Sequence, residues 1–153
     1  FIYTSCGDTC PLLSTRMQAL QERLRQERLL GNGVQLLSFT VDPARDTVDV
    51  LRAYAERYQA DPQAWRFLTG HELEVRQLVV QGFKLGVQPI PLTAHAAQPG
   101  HDQPAGVHEA SYDVMHSNRI VLIDPQGRIR AYYHGLEVNP QHIVREVRPL
   151  LGR

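Results

Sequence analysis

The sequence carries no excess of charge, with 16 basic and 16 acidic side chains in 153 residues. It therefore has no broad electrostatic footprint for nucleic acid and no basic run suited to anionic lipid. Long apolar stretches are missing as well. The longest runs, such as 120–123, stop far short of the roughly 20 residues that a membrane span needs. Cysteine is scarce: two residues cannot make the disulfide framework that small secreted scaffolds build from about four or more. Lysine is almost absent, since Lys84 is the only one among the basic residues, a bias associated with GC-rich bacterial genomes. What is left, 42% hydrophobic and 21% charged, is the composition of an ordinary globular chain. Its length suits one compact domain, 1–153, and is short for two.

The order of elements can be read from apolar spacing. Phe1-Ile2-Tyr3 reads as the last part of a buried strand, which needs neighbours on both sides, so further sequence is expected upstream. Leu13, Met17, Leu20 and Leu24 repeat at helical spacing after Pro11, a residue suited to a first helical turn. Gly31-Asn32-Gly33 stops that helix. Residues 34–41 form an apolar, β-branched strand expected to be buried on both faces. After the Asp42-Pro43 turn, Asp46 or Thr47 can cap a second helix with Leu51, Tyr54, Ala55 and Tyr58 on one face. A short strand at 65–68 follows, then a third helix from Glu72 outlined by Leu73, Leu78, Val79 and Phe83. Residues 88–111 are rich in Pro, Gly, His and Ala and read as an irregular surface insertion. Strands at 119–123 and 129–133 flank the turn Asp124-Pro125-Gln126-Gly127, and Ile143, Val147 and Leu150 mark a closing helix. Alternating strands and helices followed by a hairpin imply an α/β fold of the thioredoxin-like kind, a central mixed sheet flanked by helices.

In that arrangement, Cys6-Gly-Asp-Thr-Cys10-Pro11 falls between the first core strand and the first helix. Free N–H groups and the helix dipole favour negative charge there, so thiolates form more readily. The spacing permits either a disulfide or joint ligation of a metal. The plainer alternative is two buried small apolar residues. Two thiolates are soft ligands that select copper(I), zinc or an iron–sulfur cluster. The cluster and a structural zinc site both want about four protein ligands, whereas copper(I) accepts three, so one histidine would complete its set.

Seven histidines are available. His116, in Tyr112-Asp113-Val114-Met115-His116-Ser117, is the leading candidate, because the loop before the strand at 120–123 faces the active cysteines in a thioredoxin-like fold. A loop-capping role is the alternative. His95, His101 and His108 lie in the insertion, where a solvated loop outweighs a metal-capture tract. His71 starts a helix, and His134 and His142 have no evident partner. Met115 offers a thioether but more often fills a core. Asp42, Asp46 and Asp49 form a carboxylate group in which turn formation and capping account for the first two.

Cys6-x-x-x-Cys10-Pro11, then Val41-Asp42-Pro43-x-x-Asp46-Thr47, then His116-Ser117 and Val121-Leu122-Ile123-Asp124-x-x-Gly127-x-x-Arg130, resemble the Sco/SenC family in order and spacing. The resemblance spans nearly all of the chain outside 88–111. It implies a thioredoxin-like fold that binds copper through Cys6, Cys10 and His116. It also implies an N-terminal membrane tether with the domain in the bacterial periplasm or the mitochondrial intermembrane space, here read as the periplasm with a tether to the inner membrane, and a role in metalating or reducing the dinuclear copper site of cytochrome c oxidase. The copper-site subunit is then the partner, with other periplasmic copper carriers or thiol reductases possible. Four departures stand out. Val48 replaces the family's proline, Met115 replaces an acidic residue before the histidine, the family's N-terminal hairpin and the start of its first core strand are absent, and the 88–111 insertion is longer than expected. Three activities compete on these residues. A copper carrier needs His116, a thiol–disulfide oxidoreductase needs only the cysteines, and a peroxidase-like thiol enzyme needs a nearby cation where the Cys6 segment offers only Asp8.

Overall fold

The computed structural model describes residues 1–85, 87–91, 112–116 and 118–152, so His95, His101 and His108 lie outside it. The chain enters through Ile2 and Tyr3, both buried, and Ile2 makes a parallel bridge to Thr40. Helix α1 (Thr9–Gln26) follows. Leu13, Met17, Leu20 and Leu24 are all buried along it, as their spacing predicts. Complete burial of such side chains stabilises by about 1.5–3 kcal/mol each. Gln21, on the same face, is also fully buried. Its amide donates to Gln59 O at 3.0 Å and accepts from Asp61 N–H at 2.8 Å, so its polar atoms are matched.

Strand β1 (Leu36–Phe39) pairs in parallel with β2 (Trp65–Leu68). Between them, α2 (Val48–Arg57) is capped by Thr47, whose side chain accepts from Val50 N–H. Trp65, almost fully buried, donates its indole N–H to Ser38 at 3.0 Å. Antiparallel β5 (Arg119–Ile123) and β6 (Ile129–His134) form the expected hairpin. Gly127 turns it at φ 77°, a left-handed conformation that glycine adopts without steric cost. Helix α4 (Pro140–Leu150) closes the order, burying Ile143, Val144 and Val147. Parallel and antiparallel pairs are thus both present, as a mixed α/β sheet architecture requires. Among the described residues they are three separate two-stranded sheets rather than one continuous one. An apolar cleft of about 370 Å³ lies between β1 and β5, with Phe1 and Ile2 in its lining.

Away from the cysteine site, four readings of the sequence need correction. The strand at 34–41 is not buried on both faces: Leu37 is 44% exposed, because it lies on the open cleft. The third helix is α3 (Glu72–Gln77), continued by a π-helical turn (Leu78–Gly82). Val75 and Val79 are buried there while Leu73 is 75% exposed, so the face is rotated from the expected one. The stretch 88–111 is not irregular from its start, because β3 (Val87–Pro91) pairs with β4 (Tyr112–His116). His134 and His142 both have acidic partners, Glu137 at 3.6 Å and Glu146 at 2.9 Å.

Urea unfolding tests the packing. Leu24→Ala should cost about 2–5 kcal/mol, as buried leucines do. Leu73→Ala should stay within about 0.5 kcal/mol of the parent, as exposed sites do. The reverse ranking would contradict the assignment of faces.

Candidate metal centre

The backbone leaves β1's side at Tyr3 and turns before α1 begins, and Cys6 N–H donates to Tyr3 O at 3.3 Å within that turn. A helix N-terminus has free N–H groups, commonly met by an aspartate, serine or threonine oxygen. Asp8 stands at the N-cap of α1, yet its side chain makes no capping hydrogen bond. The sulfur of Cys6 fills that role: Cys10 N–H donates to Cys6 Sγ at 3.3 Å. Thr9 Oγ1 lies 3.7 Å from the same sulfur. The two cysteines, neither in a disulfide, are therefore held together at the helix entrance, Cys6 half-buried and Cys10 buried.

Their electrostatics diverge. Burial alone would raise the Cys6 thiol, but the backbone N–H groups of Asp8 and Cys10, with the side chains of Cys10 and Thr9, outweigh it and hold the group below the ordinary thiol value. Burial dominates at Cys10. It pushes that thiol far above its usual range, and the Cys6 sulfur adds to the effect against a backbone hydrogen bond from Tyr3. One turn further along α1, Ser14 and the buried phenol of Tyr54 share a hydrogen bond of 3.0 Å, which backs the helix against α2. The result is an accessible thiol that ionises more readily than usual beside a shielded one that holds its proton. Such a pair can ligate a soft metal once Cys10 gives up its proton, or act as attacking and resolving sulfurs in disulfide exchange.

His116 is the last residue of β4, opposite Val87 in the antiparallel register, and not in a loop as expected from the sequence. Its imidazole lies outside the described part of the structure. Two residues on, Asn118 O accepts from Gly135 N–H at 2.7 Å. A Cβ at Gly135 would come within 2.3 Å of Leu13 Cδ1 and 3.2 Å of Asn118 O. The backbone that follows β4 is thus one glycine away from the α1 turn after Cys10. Of the remaining candidates, His71 occupies the N-cap position of α3 without a capping bond. Asp49 pairs with Arg52, and Asp42 with Arg45. Among the described residues no cluster of three or more metal-ligating side chains exists.

The residue that sequence reasoning misplaced is Asp46. It does not cap α2. Fully buried, it accepts from Thr4 N–H at 3.1 and 3.3 Å and from the hydroxyls of Thr4 and Thr40 at 2.5 Å each. The available signal was two adjacent capping residues, Asp46-Thr47, before a single helix, which leaves one of them spare.

Alkylation of the reduced, metal-free protein checks the asymmetry of the thiols. Iodoacetamide should modify Cys6 at least about tenfold faster than Cys10, following thiolate content and exposure. Because the Cys6 value is lowered, its thiolate persists as pH falls, so the half-maximal rate should come at a lower pH than for an unstructured cysteine peptide. Equal rates at the two cysteines would contradict the arrangement.

Comparison with known proteins identifies the family and the fold. The family model described as SCO1/SenC matches residues 1–152. The SCO1 protein homolog of Bacillus subtilis is 30% identical over 141 residues, covering 92% of this chain and 62% of the relative, so the chain spans about six-tenths of that relative's length. Among solved structures, a SCO1/SenC family lipoprotein from Bacillus anthracis superposes with a TM-score of 0.76 at 26% identity, over 97% of this chain and 77% of that one. BsSco, a member of the Sco family of cytochrome c oxidase assembly proteins with an identified disulfide switch, gives a TM-score of 0.70 at 28% identity, over 98% of this chain and 76% of its own. Yeast Sco1 with copper bound gives 0.66 at 25% identity, over 95% of this chain and 72% of its own. With its paired cysteines at the entrance of α1 and its family match running from the first residue almost to the last, this chain belongs to the SCO1/SenC family.

Proposed function

We propose that this chain carries copper(I), binding it through Cys6, Cys10 and His116 and delivering it to the dinuclear copper site of a cytochrome c oxidase. The observation that carries the reading is the cysteine pair, with Cys10 N–H on Cys6 Sγ at 3.3 Å at the start of α1. The donor set fits the cargo. Two sulfurs are soft ligands that favour copper(I), and the lowered Cys6 group is ready to bind while Cys10 releases one proton as the ion takes its place. The half-buried sulfur of Cys6 gives an incoming partner thiol a point of exchange, so copper can pass by ligand substitution without a change of charge on the ion. The nearness of Asn118 to the α1 turn, through Gly135, supports His116 as the third ligand. Further support comes from the copper-bound yeast relative. The oxidase as destination is supported by the assembly role stated for BsSco. A membrane tether is supported by the lipoprotein relative, and placement in the bacterial periplasm is part of the same proposal. No helix among the described residues is long and apolar enough to cross a membrane.

A second reading rests on the inequality of the two thiols. In it, Cys6 thiolate attacks a disulfide sulfur of the partner, forming a mixed disulfide and expelling one partner thiolate. Cys10, losing its proton, then attacks Cys6 Sγ and releases the second partner thiolate. The partner is reduced by two electrons and Cys6–Cys10 becomes the disulfide.

Competition with a copper(I) chelator separates the readings. His116→Ala should weaken copper(I) binding by at least about tenfold, since even groups that only orient a ligand cost 10–100-fold. Oxidising Cys6 and Cys10 to a disulfide should abolish uptake, because the ligating form is thiolate. A triple alanine variant at His95, His101 and His108 should bind as the parent does. Wild-type affinity in His116→Ala, with loss in the triple variant, would show that another histidine completes the site.

A further inference from the structure

Ile2 is the last residue of the incoming segment to pair with the β1 side, with Ile2 N–H on Phe39 O and Val41 N–H on Ile2 O, both at 2.9 Å. Beyond it the chain turns towards Cys6, and Thr4 N–H has no strand to donate to. Asp46 supplies the acceptor, from 42 residues away. The same carboxylate takes the Thr4 hydroxyl on one oxygen and the Thr40 hydroxyl on the other. Thr40 Oγ1 in turn accepts from Asp42 N–H at 3.0 Å. Burying a carboxylate is costly unless its lone pairs are filled. None of the ion pairs among the described residues includes Asp46, so the charge is held by hydroxyl and amide donors alone. An apolar residue could fill the same space without that cost, but it could not grip Thr4 by both its backbone and its side chain, two residues before Cys6.

We propose that Asp46 is a positioning residue for Cys6: by clamping Thr4 to the end of β1 it fixes the turn that sets the Cys6 sulfur against the first N–H groups of α1. Asp46 acts on Cys6 through Thr4, which it holds by backbone and side chain. The inference deepens the reading of Cys6 and Cys10 as the working pair and does not depend on which metal or disulfide they meet.

The test is the pH profile of iodoacetamide alkylation at Cys6, read by mass spectrometry on reduced, metal-free, full-length chain, with thermal melts as a check on folding. Asp46→Asn keeps the shape but turns an acceptor into a donor facing Thr4 or Thr40. It should move the profile upward, so that alkylation at pH 7 falls about tenfold, one pH unit being one decade of thiolate. Loss of a nearby negative charge alone would instead favour the thiolate and speed the reaction, so the direction is diagnostic. Thr47→Ala, which removes the α2 cap beside Asp46 without touching Thr4, should lower the melting temperature and leave the profile in place. If Asp46→Asn does not fold, Thr4→Val, which deletes only the hydroxyl contact, should slow alkylation about threefold at pH 7. A folded Asp46→Asn that reacts as fast as wild type or faster overturns the proposal, as does an unchanged Thr4→Val where Asp46→Asn fails to fold. A parallel copper(I) titration of wild type keeps the two readings apart. No copper uptake with a shifted profile removes the carrier reading and leaves the clamp, and uptake with an unshifted profile does the opposite.

Discussion

The site depends on one hydrogen bond, from the amide of Cys10 to the sulfur of Cys6. It puts a sulfur where an oxygen usually caps a helix, and the exposed Asp8, though it occupies the N-cap position, leaves the amide to it. The free N–H groups of the first turn then stabilise negative charge on Cys6. Cys10 belongs to the helix itself and faces the core. The same short segment thereby yields an accessible, acidic sulfur and a shielded, basic one. Equal exposure of both would leave a pair open to indiscriminate oxidation. Burial of one holds back its ionisation.

Holding that sulfur in place requires structure on three sides. Helix α1 is pinned by its leucines and by Gln21, which ties it to the loop between α2 and β2. The hydrogen bond between Ser14 and Tyr54 sets it against α2. The incoming chain is fixed by Thr4 on Asp46. Gly135 adds a fourth contact: its backbone, bonded to Asn118 O, lies against Leu13 as no residue with a Cβ could without displacement. These are long-range contacts, and they converge on a turn of a few residues whose own composition, Ser5-Cys6-Gly7-Asp8, gives it little rigidity.

Much of this was legible in the sequence because it is local. The i, i+3, i+4 spacing of Leu13, Met17, Leu20 and Leu24 announces α1 and its buried face, and Asp124 to Gly127 announces the hairpin. Cysteines four apart beside a proline point to a helix entrance. The parts that could not be read are tertiary. Asp46 looks like a capping residue until Thr4 is brought to it. Leu73 fits a helical pattern as well as Val75 does, and only packing chooses between them. The pairing of β3 with β4 spans residues 92–111, and Pro89 and Pro91 argue locally against a strand. His116 could be named from its place in the order of motifs, but not its position at the end of a strand.

The central claim is that two sulfurs and one imidazole of this chain hold copper(I) together. X-ray absorption of the copper(I)-loaded protein tests it most directly. The account predicts two sulfur scatterers and one nitrogen at about 2–2.3 Å, by analogy with other N/S sites, with the nitrogen lost in His116→Ala and both sulfurs kept. A first shell of nitrogen and oxygen alone, unchanged by that substitution, would contradict it.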